Sequence, residues 1–280
     1  MLNEMPFSEK WREYLRLTIQ RSKEGHLPFF RQIAEMIVLT IFHGIHPGYY
    51  HVAGFWRRSI TWKDKTGHII GRRYGKLVNE LNPPKYHKLS QNKIAEKAIL
   101  RLLGIPTPSF LGYFDADDGR CFDGSPLRNA NDLKRLVSKI DESRICFKLV
   151  EGWGGMGFDS VEVIREGEQP EFQLMRDGSR IAIDKYYENC LNNARSDSII
   201  VEAYVDQHPR LAEFNPSSVN TLRLWVIERE NGEAEVVLGL FRMGRPGSLV
   251  DNIISGGIGA PINVRTGVLS NALDYQPSRR

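Results

Sequence analysis

The sequence predicts a mixed α+β protein, with a helical region leading into lobes built mainly from strands. Three observations carry that reading. Residues 6–42 contain two stretches whose apolar residues recur at helical spacing. The middle of the chain, Cys146–Gly157, reads as a strand breaking into glycines, and the alternating run Ser160–Ile164 follows at once. The last third alternates polar and apolar residues through Asn220–Ile227 and, less clearly, through Glu235–Met243. With 280 residues and 41% hydrophobic content the chain is long enough for two domains. Asn82-Pro83-Pro84 marks the best boundary, giving residues 1–80 as a helical, aromatic region and 81–280 as the main domain.

The elements follow in order. Pro6 and Ser8 open a first helix running to about residue 24, with Trp11, Tyr14, Leu15 and Ile19 on one face. Pro28 starts a second, Phe29–Phe42, which His43-Gly44 and Pro47-Gly48 stop. The run Pro47–Arg58 interleaves Tyr49, Tyr50, Phe55 and Trp56 with Arg57 and Arg58; packing with snorkelled arginines is favoured over base or sugar binding. A basic stretch, Lys63–Lys76, precedes the boundary. Ser90–Leu103 reads as a helix capped by Ser90, with Ile94, Ala98, Ile99 and Leu102 as its apolar stripe. Lys93 in its first turn opposes the helix dipole, a hint that it points at an anion. Ile105-Pro106-Thr107-Pro108 leads into the strand Ser109–Phe114, and Asn129–Ile140 is a further helix. Short strands at Phe172–Met175 and Ile181–Ile183 and a helix at Tyr186–Ala194 come next. Ile199–Val205 is an apolar strand broken only by Glu202, an acid that must face solvent or meet a partner. Asn231-Gly232 joins the two alternating runs as a hairpin, which puts Arg223 and Arg242 on one face. A second glycine-rich loop, Asp251–Ala260, and a hairpin at Pro261–Leu269 finish the pattern.

Composition narrows the function classes. A net charge of +4 with acids and bases interspersed argues against a nucleic-acid coat. Three cysteines without metal-ligand spacing, and no apolar leader in MLNEMPFSEKWREYL, point to a reducing cytoplasm. The apolar segment Ile33–Ile45 is too short to span a bilayer and contains Glu35, so no membrane span is expected. The histidines at 43, 46, 51, 68 and 87 show no ligand pattern, and no metal ligands are assigned.

The chemistry concentrates at the centre. Gly152, Gly154, Gly155 and Gly157 let backbone amides converge on an anion, and Lys148 on the adjoining strand supplies a positive charge. Neither a P-loop nor a dinucleotide fingerprint fits, because a strand rather than a helix follows the glycines. Taken alone, the stretch also fits a flexible hairpin that uses glycine only for its turn.

The ordered set Asn92-Lys93, Gly104-Ile105-Pro106-x-Pro108, Phe147-Lys148-x₃-Gly152-x-Gly154-Gly155-x-Gly157, the strand with Glu202, Ser218–Arg223, Val250-Asp251-Asn252 and Gly256-Gly257 resembles the ATP-grasp superfamily. It is most similar to the sugar-transfer-associated branch, related to alpha-L-glutamate ligases, from about residue 77 to 270. The resemblance implies an ATP-grasp fold: two α+β lobes, about 81–204 and 205–280, gripping ATP. It implies that Lys93 and Lys148 contact the phosphates beneath the Gly152–Gly157 lid. Glu202 and the main chain of Ala203 and Val205 would read the adenine, with Asp206 or His208 near the ribose. Arg223 would stabilise the transferred group, with Arg242, Asn252, Gly256 and Gly257 on the acceptor side. One departure is plain: the family's late Glu-x-Asn magnesium pair does not follow Gly267, so Mg²⁺ is expected without identified ligands and truncation is the favoured explanation. The resulting expectation is an ATP-dependent carboxylate–amine ligase working through an acyl phosphate, on small-molecule or sugar-linked substrates such as a polysaccharide precursor. The alternatives are a small-molecule kinase and a non-catalytic or truncated ATP-binding module.

Overall fold

The computed structural model of the chain describes residues 7–167, 169–191 and 198–274. Pro6, positions 192–194 of the helix predicted at Tyr186–Ala194, and the chain beyond 274 lie outside them. The chain divides into two compact units between Tyr86 and His87.

The first unit is helical: α1 (Phe7–Lys23), α2 (Phe29–His43), α3 (Pro47–Val52), α4 (Trp62–Gly67) and α5 (Gly71–Leu81). Gly44 ends α2 in the left-handed region, φ 69°, as a glycine C-cap does. Met36, Leu39, Ile45, Tyr50, Phe55 and Trp56 form its core, so the aromatic run 47–58 is packing. Arg21 and Arg57 lie against the Trp56 ring, 4.4 and 4.8 Å from its centroid. Glu35 is buried but paired: Lys65 Nζ lies 2.6 Å from its carboxylate, and the Tyr50 hydroxyl donates to it at 2.9 Å. The face expected for α1 is corrected. Leu17, Thr18 and Arg21 are buried, whereas Trp11, Leu15 and Ile19 are exposed. Periodicity defines an apolar arc, and neighbours cover only one side of it.

The second unit opens with α6 (His87–Gln91) and α7 (Lys93–Leu102). The single helix expected from Ser90 is therefore split. Asn92 turns extended and its side chain accepts from the Ile94 and Ala95 amides, capping α7 in place of Ser90. Then come β1 (Phe110–Phe114), β2 (Arg120–Cys121), α8 (Ala130–Lys139), β3 (Arg144–Leu149), β4 (Asp159–Ile164), β5 (Glu171–Leu174), β6 (Arg180–Ala182), α9 (Ile183–Tyr186) and β7 (Ile199–Ala203). After α9 the chain continues as a π-helical turn to Leu191, the last described residue of the helix expected at Tyr186–Ala194. Seven strands form one antiparallel sheet in the order β2-β1-β7-β3-β4-β5-β6. Asn129 caps α8, which buries Leu133, Leu136 and Val137 in the core of this sheet with Phe147, Val161, Phe172 and Val201. Each such side chain contributes roughly 1.5–3 kcal/mol of apolar burial.

Past α10 (Pro209–Ala212), the strands β8 (Thr221–Glu228), β9 (Ala234–Met243), β10 (Ile258–Ile262) and β11 (Leu273–Asp274) make a second sheet in the order β11-β10-β9-β8. The predicted hairpin turns at Asn231-Gly232, closed by the Gly232 amide on the Arg229 carbonyl. Phe241, Met243 and Ala260 form its small core.

Candidate functional site

Strand pairing brings the charged groups together. β3 runs beside β7 with Cys146 opposite Glu202. Opposed residues in an antiparallel pair share a face, and Lys148, two residues on, shares it too. Lys148 Nζ accordingly lies 2.6 Å from a Glu202 carboxylate oxygen. From α7, Lys97 reaches the other Glu202 oxygen at 2.7 Å and donates to the Pro108 carbonyl at 2.7 Å. Glu202 thus has two lysine partners, and its carboxylate is occupied rather than free to read a base. Lys97 is the residue that sequence reasoning missed. The stripe expected on α7 is also corrected, since Ile99 and Leu102 are exposed and Lys97 is buried. The only available signal was its i+4 spacing from Lys93.

Lys93 serves the glycine loop directly. Its ammonium donates to the carbonyls of Leu149 and Gly152, both at 2.8 Å, and its amide to the Val150 carbonyl. Lys88 and Asn92 hold Glu151 beside them. The base of the loop is therefore strapped to the α6–α7 junction. Its tip meets the loop before β10, where the Ser255 hydroxyl donates to the Gly154 carbonyl at 2.7 Å. Gly155 sits at φ 82°, and a Cβ there would stand 2.7 Å from Asn252 Oδ1, so glycine is what lets the two loops approach.

Between the two sheets lies a cavity of about 480 Å³. Its lining includes Lys93, Lys148, Gly152, Gly155, Arg242 and Asn252. Arg242 pairs across β8 and β9 with Thr221 and donates to its hydroxyl at 2.8 Å. Asp251 lies 3.2 Å from the Arg242 guanidinium and also accepts from Thr221. Arg223 is on the same face, as predicted, but it is exposed and outside the cavity lining. The counter-charge to Arg242 comes from the chain's own Asp251.

Burial and the nearby Lys148 ammonium lower the pKa of Lys93. For Lys148, desolvation pulls downward, but the charge and hydrogen bond of the Glu202 carboxylate oppose it and the net direction is up. Cys146 is pushed up to about 11, chiefly by burial, and so stays a neutral thiol. Desolvation and then Arg223 pull Arg242 down, against Asp251.

Other predicted positions fall elsewhere. β7 ends at Ala203, whose amide already donates to the Ser109 carbonyl, while Ala203, Tyr204 and Val205 line the cavity. Asp206 pairs with Arg144, and His208 caps α10 by accepting from the Arg210 amide, so neither lines the cavity. Gly154, Gly157, Gly256 and Gly257 flank it without lining it. For magnesium the donor set does not fit. Asp251 is the one carboxylate among the lining residues and is engaged by Arg242, and no metal-holding group of acids, cysteines and histidines occurs among the described residues.

The lining thus offers three cations against one carboxylate, with Glu202 and Lys97 behind it, beneath a strapped glycine loop. Such a lining is chemically suited to a polyanion with an apolar part, since Met156, Val205, Val219 and Leu249 also belong to it. A family model described as sugar-transfer associated ATP-grasp matches residues 72–279. No curated protein and no solved structure matches the chain.

Proposed function

The chain belongs to the sugar-transfer-associated ATP-grasp family, an assignment to ATP-dependent, ligase-type chemistry, and on that premise we propose a carboxylate–amine ligase that works through an acyl phosphate. The observation that carries the reading is the cationic cavity closed on one side by the strapped loop Gly152–Gly157.

ATP is the substrate whose triphosphate lies along Lys148 and the loop amides, with its base among Met156, Val205, Val219 and Leu249. Lys93 acts on the loop carbonyls and keeps the amides aimed inward. Glu202 orients Lys148 from below. Arg242, fixed by Thr221 and Asp251, faces the γ-phosphoryl group, and Arg223 stands beside it on the same face. A carboxylate oxygen of the acceptor attacks the γ-phosphorus, the bond to the β–γ bridging oxygen breaks, and ADP leaves. The amine nitrogen then attacks the acyl carbon, the carbon–oxygen bond to phosphate breaks, and the nitrogen gives up a proton. Such transfers depend on positioning and charge neutralisation, which lysine, arginine and oriented amides supply. A closed loop also keeps water from the activated acyl group. The acceptor is proposed to be a sugar-linked or small-molecule carboxylate, following the branch to which the chain belongs.

The test is hydroxylamine trapping with ATP and a panel of carboxylates. A hydroxamate formed together with ADP supports the acyl phosphate. A stable phosphate ester instead marks a kinase, and nucleotide binding without ADP release marks a non-catalytic module.

A further inference from the structure

The helical unit shows a separate property. Residues 1–86 carry fourteen Lys and Arg against seven Asp and Glu, a net +7. Residues 87–280 carry twenty-four against twenty-seven, a net −3, and the two make up the +4 of the chain. The net positive charge of the protein thus resides in residues 1–86, none of which lines the cavity.

Two helices of that unit bare apolar faces. α5, GRRYGKLVNEL, has no buried residue at all. Tyr74, Leu77, Val78 and Leu81 fall at i, i+3, i+4 and i+7, one stripe along the helix, while Arg72 and Lys76 lie opposite and Arg73 flanks it. Tyr74 and Leu81 are 54% and 57% exposed. α2 turns Met36 and Leu39 into the core, yet its outer side presents Phe30, Ile37, Ile41 and Phe42, with the two phenylalanines 84% and 70% exposed. A helix apolar on both sides is ordinarily covered on both. An eleven-residue helix with no buried side chain is marginal in water. An apolar stripe with lysine and arginine on the other faces is the pattern of helices that lie in a membrane interface. No helix among the described residues is long and apolar enough to span a bilayer.

We propose that the helical unit docks on an anionic lipid surface. α5 and the outer side of α2 enter the boundary between headgroups and acyl chains, and Arg72, Arg73, Lys76 and Lys63 meet the lipid phosphates. Charge complementarity selects this occupant. A second copy of the chain would bring +7 against +7, and a nucleic acid would leave the aliphatic side chains uncovered.

The test is sedimentation of the full chain with vesicles of phosphatidylcholine alone or with about one third phosphatidylglycerol. The expected result is at least a roughly tenfold preference for the anionic vesicles, weakened at high salt by screening. Leu77→Glu with Leu81→Glu, and separately Arg72→Glu with Lys76→Glu, alter exposed side chains and leave ATP binding as a check on folding. Each pair is expected to lower anionic-vesicle binding about tenfold or more. The proposal is overturned if the folded chain ignores anionic vesicles, or if the leucine pair binds them as the wild type does. It is equally overturned if those leucines hold a dimer together in light scattering, or if the unit prefers an RNA oligomer to the vesicles.

Discussion

Replacing Glu202 by leucine removes the carboxylate that neutralises Lys97, whose side chain is 10% exposed beside a Glu202 that is 5% exposed. Lys97 would keep only the Pro108 carbonyl as a partner among its described bonds. A buried ion pair broken from one side costs about 3–5 kcal/mol, because the remaining charge stays out of water. Lys97→Met should cost less, roughly 2–3 kcal/mol, since Glu202 still has Lys148 at 2.6 Å. Removing both charges with apolar side chains strands only Lys148, which is partly exposed, so the double variant should cost about 2–3 kcal/mol, well below the sum of the two singles. The singles then sum to about 5–8 kcal/mol against about 2–3 for the double, so the coupling across the cycle is expected to be roughly 3–5 kcal/mol. The assay is native-state amide exchange in β3 and β7, where 3 kcal/mol corresponds to roughly a hundredfold change in protection. Additive single effects, or a Glu202→Leu cost below about 1 kcal/mol, would refute the buried pair as the keystone of this floor.

Three further outcomes are expected. Lys93→Met releases the Leu149 and Gly152 carbonyls, so amides of residues 150–158 should exchange about tenfold faster and ATP should bind more weakly. Gly155→Ala places a methyl group 2.7 Å from Asn252 Oδ1 at φ 82°, and should cost about 1–2 kcal/mol locally. That strain should be read as weaker ATP affinity with little change in global unfolding. Burial, then Arg21, lowers the pKa of His51 from 6.5 to about 4, so between those values the unfolded chain binds more protons than the folded one. The unfolding free energy should therefore fall as pH drops through that window, by about 3 kcal/mol in all, and His51→Gln should remove the slope in amide exchange of α1.

Local patterns made much of the fold legible. The strand–glycine–strand core and the Asn231-Gly232 hairpin are set by neighbouring residues, so β3, β4, β8 and β9 were readable. What could not be read was which apolar arc meets a neighbour. Ile99 and Leu102 have the right spacing but are exposed, because Glu202, 105 positions beyond Lys97, draws α7 down by its lysine side. The site shows the same division. Lys148 and the glycines marked a candidate anion site from their own composition, and a lone acid in Ile199–Val205 called for solvent or a partner without naming it. Asp206 and His208 were placed by resemblance alone, and they are spent on Arg144 and on capping α10. The Arg242–Asp251 pair needed the second glycine loop folded against β9, which no local pattern encodes.

The most direct measurement is ATP binding by calorimetry on the wild type and on Lys148→Met. Lys148 is partly exposed and outside the apolar core, so the variant should fold, as circular dichroism would verify. The expected result is a wild type that binds ATP and a variant weaker by about tenfold or more, from the loss of one charge-assisted contact. A folded wild type that gives no heat with ATP, or a variant with undiminished affinity, would contradict the account.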